Sequence, residues 1–370
     1  MRIGILTLPF NNNYGGYLQS IALYHVLKSN GLDPIVINRR KNKYKISEHI
    51  HYFYWGLKGV IKRSRKQPFF LDTEKDFLWR GQLMIPFVEK NIRLSDKIYS
   101  SCELEEFFNN NCSALVVGSD QVWRPGFVPN IPDYFFDIVK GPQKKIAYGV
   151  SFGNSSPNFK KAEVKKIQSL YSQIDFIGFR ENSGKKVCDS FGWKNNNEHV
   201  VLDPTMLMPP EFYISLINKD DIVSTHNLFC YILDYNMTLE NGIKLVADYI
   251  KEDPYYILDP KKWKDKKYIM PRIEDWLLGL KNAKVVITDS FHGAVFSIIF
   301  NTCFIVYANK VRGIDRFETL LGHFGLLDRI VYDEKDFIPT LNKPINWDDV
   351  NKRLLEKRKQ SLMLLLNSFK

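Results

Sequence analysis

Lys284-Val285-Val286-Ile287-Thr288-Asp289-Ser290-Phe291-His292-Gly293-Ala294-Val295-Phe296-Ser297-Ile298-Ile299 reads as a buried strand running straight into a helix, with polar residues gathered at the junction. Val285, Val286 and Ile287 form a short β-branched run suited to a parallel strand covered on both faces. The residues after His292 are too apolar for a surface helix and do not alternate as a strand would. Such a junction lies where open α/β sheets bind ligands, outside the carboxyl ends of their strands, with free helix N–H groups turned towards any bound anion. His292 is therefore a candidate acid or base. A structural imidazole beside a helix cap made by Asp289 or Ser290 accounts for the same residues.

Outward from this junction, strands alternate with helices. In the first part strands are expected at Ile3–Thr7, Pro34–Asn38, Ala114–Val117, Lys145–Val150, Asp175–Phe179 and His199–Leu202, with helices such as Gly16–Lys28, Phe159–Leu170 and Ser183–Phe191 between some of them. The prolines of Asp203-Pro204-Thr205-Met206-Leu207-Met208-Pro209-Pro210 break the pattern and set a boundary there. A second series follows, with strands at Leu228–Leu233, Tyr255–Leu258, Val285–Thr288, Phe304–Tyr307 and Arg329–Val331. A long helix from about Trp347 to Phe369 ends the chain. The expected fold is α/β: two Rossmann-like domains, 1–208 and 209–346, in a glycosyltransferase-B-like architecture with a C-terminal helix over 347–370. Ligand is expected in the cleft between the domains.

Composition fits that frame. At 370 residues and 45% hydrophobic content the chain exceeds what one core usually supports. Its five cysteines are odd in number and widely spread, without a Cys-x-x-Cys pair. That argues against a disulfide framework or a zinc site and fits a reducing cytoplasm. The amino terminus lacks a signal-peptide layout, and the longest apolar run, Ala294 to Ala308, is broken by Asn301-Thr302, so no membrane span is expected. The net charge of +11 is concentrated between Arg39 and Lys66, where ten Lys or Arg stand against Glu48 alone, around the aromatic run His51-Tyr52-Phe53-Tyr54-Trp55. Basic residues flanking aromatics suit an anionic membrane face. Single-stranded nucleic acid could use the same stacking and charge, and a solvated insertion packed on its own domain needs neither.

Three more loops carry polar chemistry. Strand Ile3–Thr7 leads into Asn11-Asn12-Asn13-Tyr14-Gly15-Gly16-Tyr17-Leu18-Gln19, where two glycines allow close approach of a ligand or make a mere tight turn. The Gly-x-Gly-x-x-Gly and Walker spacings are absent, so dinucleotide or ATP binding is not expected. After Ala114–Val117, Gly118 allows close approach, Asp120 and Gln121 can hydrogen-bond sugar hydroxyls, and Trp123 offers an apolar face to a pyranose ring. In Phe179-Arg180-Glu181-Asn182-Ser183, Arg180 suits a carboxylate or phosphate, or pairs internally with Glu181 or another acid.

Asn13-Tyr14-Gly15-Gly16-Tyr17-Leu18-Gln19, Gly118-Ser119-Asp120-Gln121-Val122-Trp123, Arg180-Glu181-Asn182-Ser183, Asp203-Pro204, Ser290-Phe291-His292-Gly293 and Arg316-Phe317 ahead of Leu320-Leu321 occur in this order. Together they resemble the polysaccharide pyruvyl transferase family, over almost the whole chain to about Arg329. The resemblance implies transfer of the pyruvyl group of phosphoenolpyruvate to a sugar, usually as a cyclic ketal across two hydroxyls, during assembly of capsule, exopolysaccharide or another cell-surface glycan. Many members carry Arg-Leu-His where this chain has Ser290-Phe291-His292, and that arginine is taken to help hold the donor anion. Arg312 and Arg316, shortly after the next strand, could supply the charge. The implied site has His292 as acid or base, Arg180, Ser290, Arg312 and Arg316 around the donor, and Asn13, Gly15, Gly16, Asp120, Gln121 and Trp123 around the acceptor.

In this chemistry a sugar hydroxyl adds to C2 of the enol ether while C3 is protonated. The site then needs a proton donor, a base for the hydroxyl, and cations for a phosphate and a carboxylate. Phosphoenolpyruvate enters as a substrate, and the reaction calls for no cofactor or metal. The expected partners are a sugar or lipid-linked oligosaccharide acceptor and an anionic membrane through 39–66, with no nucleic acid. The expected location is the cytoplasm, at the inner face of the membrane. A nucleotide-sugar glycosyltransferase of the same architecture is the main rival, favoured by the missing arginine. A non-enzymatic protein binding membrane surface or nucleic acid is the third reading.

Overall fold

The computed structural model describes residues 1–10, 12–40, 74–217, 226–308 and 314–370. The first of two sheets contains β1 (Arg2–Leu6), β2 (Asp33–Val36), β3 (Ala114–Val117), β4 (Lys144–Val150), β5 (Phe176–Phe179) and β6 (Glu198–Val200), in the order β2-β1-β3-β4-β5-β6. The second contains β7 (Leu228–Tyr231), β8 (Pro254–Tyr256), β9 (Val285–Thr288), β10 (Phe304–Tyr307) and β11 (Ile330–Val331), in the order β11-β10-β9-β7-β8. Every pairing is parallel. The chain is thus two parallel-sheet α/β domains, and the expected strands are all present with ends moved by no more than two residues. Central strands such as β3 and β9 are buried throughout, as sheets covered on both faces require.

Each sheet reverses its strand order once, between β1 and β3 and between β7 and β9. Such switch points open a crevice at the carboxyl ends of the strands. The loops at Asn12–Gly16 and Gly118–Gln121 leave the first switch point, and those at Leu233-Asp234 and Asp289–His292 leave the second. Helix Phe291–Ile299 is buried at all nine residues, as a helix apolar all round must be. Thr288 couples it to its strand: its Oγ1 donates to the Tyr231 carbonyl at 2.7 Å and accepts from the Ser290 N–H at 3.0 Å.

An aromatic seam joins the halves. Tyr14, at the start of helix Tyr14–Ser29, stacks on Trp276 with ring centroids 5.3 Å apart and donates to the Pro271 carbonyl at 3.0 Å. The terminal helix Trp347–Asn367 buries Val350, Leu354, Ser361 and Leu365, one stripe at helical spacing, and packs back on the first half. There Ser361 Oγ accepts from the Leu202 N–H at 3.1 Å, and Arg358 donates to the Met206 and Met208 carbonyls at 2.7 and 3.1 Å. The proline-rich link after β6 is pinned by these bonds. Among the described residues no helix is long and apolar enough to cross a membrane.

Arg39 corrects one expectation. It is buried, with Nη1 donating to the Arg40 and Ile98 carbonyls and Nη2 3.6 Å from Asp133, so it belongs to the fold and not to a lipid-facing tract. The remainder of the basic aromatic tract beyond Arg40 lies outside the described residues.

Candidate active site

The first half contributes a knot of buried charges. After β3 the chain turns at Gly118, where φ is 143° and a Cβ would stand 1.9 Å from the Tyr148 carbonyl oxygen, so a side chain has no place there. The turn leaves Asp120 in the left-handed region, with φ of 75°, and aims its Oδ1 at Arg180 Nη2, 3.0 Å away. Arg180, directly after β5, also places Nη1 3.2 Å from Asp203 Oδ2 and Nε 3.8 Å from Glu181 Oε2. Burial alone would push the guanidinium down in pKa; Asp120, Asp203 and Glu181 reverse this and raise it.

Two of the three carboxylates beside Arg180, Asp203 and Glu181, behave differently from each other. Asp203 accepts from Ser119 Oγ at 3.2 Å and from the Thr205 N–H and Oγ1 at 3.0 and 2.7 Å. Burial pushes its carboxyl up, but His292, Arg180 and Thr205 outweigh burial and hold it well below the usual carboxylate range. Glu181 accepts from Ser151 Oγ at 2.6 Å. Its carboxyl is pushed up by burial, and Arg180, Ser151 and Arg316 oppose that only in part.

The second half brings His292 to this knot. Its Nε2 lies 3.6 Å from Asp203 Oδ2. Its other edge rests on Gly15, where a Cβ would stand 1.9 Å from Nδ1. Phe291 lays its ring 4.3 Å from the Arg180 guanidinium, a cation–π contact across the seam. Ser290 takes the N-cap position of helix Phe291–Ile299 without a side-chain capping bond, and Asp289 reaches back to the Leu233 and Asp234 N–H groups, both at 2.7 Å. The first N–H groups of the helix have no intrahelical acceptor and point at the seam. Arg316 is buried in the first turn of helix Asp315–Phe324, and Thr319 of the same helix accepts from the Asn182 N–H at 3.1 Å.

The structure therefore brings together His292, Ser290, Arg180, Arg316, Asp120 and Gly15. The other expected residues sit differently. Asn13 caps helix Tyr14–Ser29, its Oδ1 accepting from the Gly16 N–H at 3.2 Å, so both serve the helix start. Gln121 accepts from Arg124 at 2.7 Å. Arg312 lies outside the described residues. Trp123 requires correction: it is fully buried, stacked on Phe135 at 4.5 Å with its indole N–H donating to the Tyr134 carbonyl, so it offers no face to a sugar. Arg180, expected to grip a donor anion, is instead enclosed by three carboxylates and an aromatic ring.

Sequence reasoning offered Glu181 only as an internal partner of Arg180 and gave no role to Asp203, Ser119, Ser151 or Gln19. Gln19 Oε1 accepts from the Ser119 N–H at 2.9 Å and its Nε2 donates to Thr7, so it fixes the start of the chain's first helix against the Gly118–Gln121 loop. The signal that could have found Asp203 is its lack of any other task in a buried Asp-Pro following a strand.

Two parallel sheets whose switch points face each other define a two-domain α/β protein of glycosyltransferase-B architecture. The sequence matches the polysaccharide pyruvyl transferase family over residues 13–311, and the chain belongs to that family. Among solved structures, UDP-N-acetylglucosamine 2-epimerase from Rickettsia bellii is similar at 12% identity and a TM-score of 0.54, over 99% of this chain and 96% of that one. UDP-GlcNAc 2-epimerase from Methanocaldococcus jannaschii is similar at 11% identity and a TM-score of 0.54, over 99% and 100%. UGT89C1 of Arabidopsis thaliana, complexed with UDP-L-rhamnose, is similar at 8% identity and a TM-score of 0.50, over 100% and 99%. At such identities the likeness shows the fold. No curated protein sequence matches this chain.

Proposed function

We propose that this protein transfers the pyruvyl group of phosphoenolpyruvate to a sugar of a cell-surface polysaccharide or its lipid-linked precursor, closing a ketal across two hydroxyls. One observation carries the reading: buried His292, in the first turn of helix Phe291–Ile299, places Nε2 3.6 Å from the buried carboxylate of Asp203 where the two halves meet. Asp203 faces Nε2 of the imidazole at 3.6 Å as its counter-charge, and Nδ1 is assigned to a sugar hydroxyl arriving beside Gly15. Ser290 and the first N–H groups of helix Phe291–Ile299 receive the phosphate, and Arg316 the carboxylate, in place of the family arginine that Ser290 replaces. Arg312 stands with Arg316 in this assignment from its sequence position. Arg180 fixes Asp120 and Asp203, and the acceptor lies along Asp120 and Gln121.

The basic aromatic tract past Arg40 keeps its place in the proposal as a contact with anionic lipid beside a lipid-linked acceptor. The nucleotide-sugar alternative draws on fold likeness.

Phosphoenolpyruvate raises the thermal midpoint on this reading, because it binds only the folded state, and UDP does not. Incubated with phosphoenolpyruvate and a panel of methyl hexopyranosides, the protein releases phosphate and adds to one of them the mass of a pyruvate less a water. A midpoint raised by UDP alone, with a product heavier by one sugar when a nucleotide sugar is supplied, replaces this reading with the glycosyltransferase one.

A further inference from the structure

Glu181 is buried where the two halves meet, and its carboxylate oxygens are unequal. Oε1 accepts from Ser151 Oγ at 2.6 Å, and that hydroxyl is itself held by the Gly153 N–H at 3.0 Å. Among the described residues Oε2 has no hydrogen-bond partner, and it stands 3.8 Å from Arg180 Nε, beyond hydrogen-bond length. A buried ionised carboxylate ordinarily fills its acceptor sites, because an unfilled one is costly. A carboxylic acid with one oxygen already bonded keeps a single O–H to donate, and the described residues supply no acceptor for it.

The surroundings agree with a protonated group. Around Glu181 stand Arg180 on its own strand end, Ser151 after β4, Asp120 after β3 and Arg316 across the seam. Burial raises its carboxyl, and Arg180, Ser151 and Arg316 oppose that without cancelling it, while Asp120 adds to it. Asp203, gripped by the same guanidinium, is displaced the other way. Two neighbouring carboxyls pushed apart in acidity mark an acid and a companion that stays ionised.

Resting on the transfer proposed above, we infer that Glu181 is the acid that protonates C3 of the enolpyruvyl group. The Oε2–H proton goes to C3, the C2=C3 π pair forms the new C–H bond, and the acceptor oxygen bonds to C2 while its proton passes to His292 Nδ1. The product of this half is a ketal phosphate. In the second half the other sugar hydroxyl bonds to C2 and gives its proton to the Glu181 carboxylate. The C2–O bond to phosphate breaks, and the departing oxygen takes the bonding pair and the proton from His292. Both residues return to their starting states, and the sum is donor plus diol to ketal plus phosphate.

The test is Glu181→Gln, which keeps the shape and the acceptor for Ser151 but has no acidic proton. Phosphoenolpyruvate affinity stays within a few-fold of wild type, turnover falls by about 10²–10⁴-fold, and the loss of activity with rising pH, present in wild type, disappears. Ser151→Ala keeps the carboxyl and removes a bond that favours its ionised form, so it moves the alkaline limb to higher pH. This second variant decides the matter even where Glu181→Gln does not fold. Wild-type turnover in Glu181→Gln, or an alkaline limb unmoved by Ser151→Ala, overturns the assignment while leaving the transfer reaction in place. Absence of phosphoenolpyruvate binding and turnover in wild type removes the transfer reading and the assignment with it.

Discussion

The two faces of the seam are built on opposite principles. The first half presents a dense knot of buried charge, Arg180 among Asp120, Glu181 and Asp203, with Asp203 also bonded by Ser119 and Glu181 by Ser151. The second half presents a helix start with few charges, where Ser290 and His292 make no comparable set of bonds and Asp289 is turned back on β7. A knot of that kind sets geometry and local field; a lightly bonded helix start is where ligands and moving protons find room. The comparison assigns positioning to the first face and proton transfer to the second, with Glu181 the exception on the first. It also explains why the chain needs both halves, since His292 obtains its carboxylate from Asp203 and its clearance from Gly15.

The sharpest way to break this division is to remove the proton-transfer group alone. His292→Ala leaves the charge knot largely as it is, so the protein folds and binds phosphoenolpyruvate, yet turnover falls by about 10²–10⁴-fold. His292→Gln restores a hydrogen bond without a base and stays equally impaired. Phosphate release measured on both variants decides it. Full turnover in both places proton transfer on the charged face instead.

Gly15→Ala probes the contact between the faces without touching a charge. The added Cβ would meet the imidazole at 1.9 Å from Nδ1, so the ring must move and its approach side is filled. A displacement of about 1 Å at a reacting group is worth roughly a hundredfold in rate. The expected loss is therefore about 10²-fold in turnover with donor affinity nearly unchanged, read from steady-state rates at saturating phosphoenolpyruvate. Unchanged turnover means that the hydroxyl does not approach along Gly15.

How much of this arrangement is visible in the sequence depends on how local its causes are. The strand Val285–Thr288 and the terminal helix Trp347–Asn367 are patterns within one segment, and both are legible in the sequence. His292, Ser290 and Gly15 stand out as candidates in the sequence because they lie in junctions that parallel sheets place at one end. Trp123 shows the limit. Beside Asp120 and Gln121 it reads as a sugar platform, but Phe135, Phe152, Tyr171 and Phe179, all outside its own loop, surround it and make it core. Asp203 shows the converse. As Asp-Pro it reads as a break in the pattern, and its partners Ser119, Arg180 and His292 come from three other segments. Long-range pairing of polar groups leaves no trace in local periodicity.

The smallest expected effect separates the two carboxyls of the charge knot through the pH dependence of stability. Asp203 is held below its ordinary value, near 4 when unfolded, so its contribution is present above about pH 4 and lost as pH falls through the lower folded value. Asp203→Asn is accordingly most destabilising near neutrality, and its deficit shrinks as the solution is made acid. Glu181 is displaced upward, so the folded state holds its proton more tightly than the unfolded chain does. The stability that protonation gives is complete below about pH 4 and is lost as pH rises through the raised folded value. Glu181→Gln, which has no proton to lose, therefore gains on wild type over that upper interval. Denaturant midpoints measured from pH 3 to pH 8 give the two difference curves, and each unit separating a folded from an unfolded value contributes about 1.4 kcal/mol. The gap between Asp203→Asn and wild type widens as pH rises from the acid end, whereas Glu181→Gln improves against wild type above pH 4. A Glu181→Gln curve that follows the Asp203→Asn curve would mean both carboxyls are ionised in the folded protein, and the knot would then be a positioning device throughout, with no acid in it.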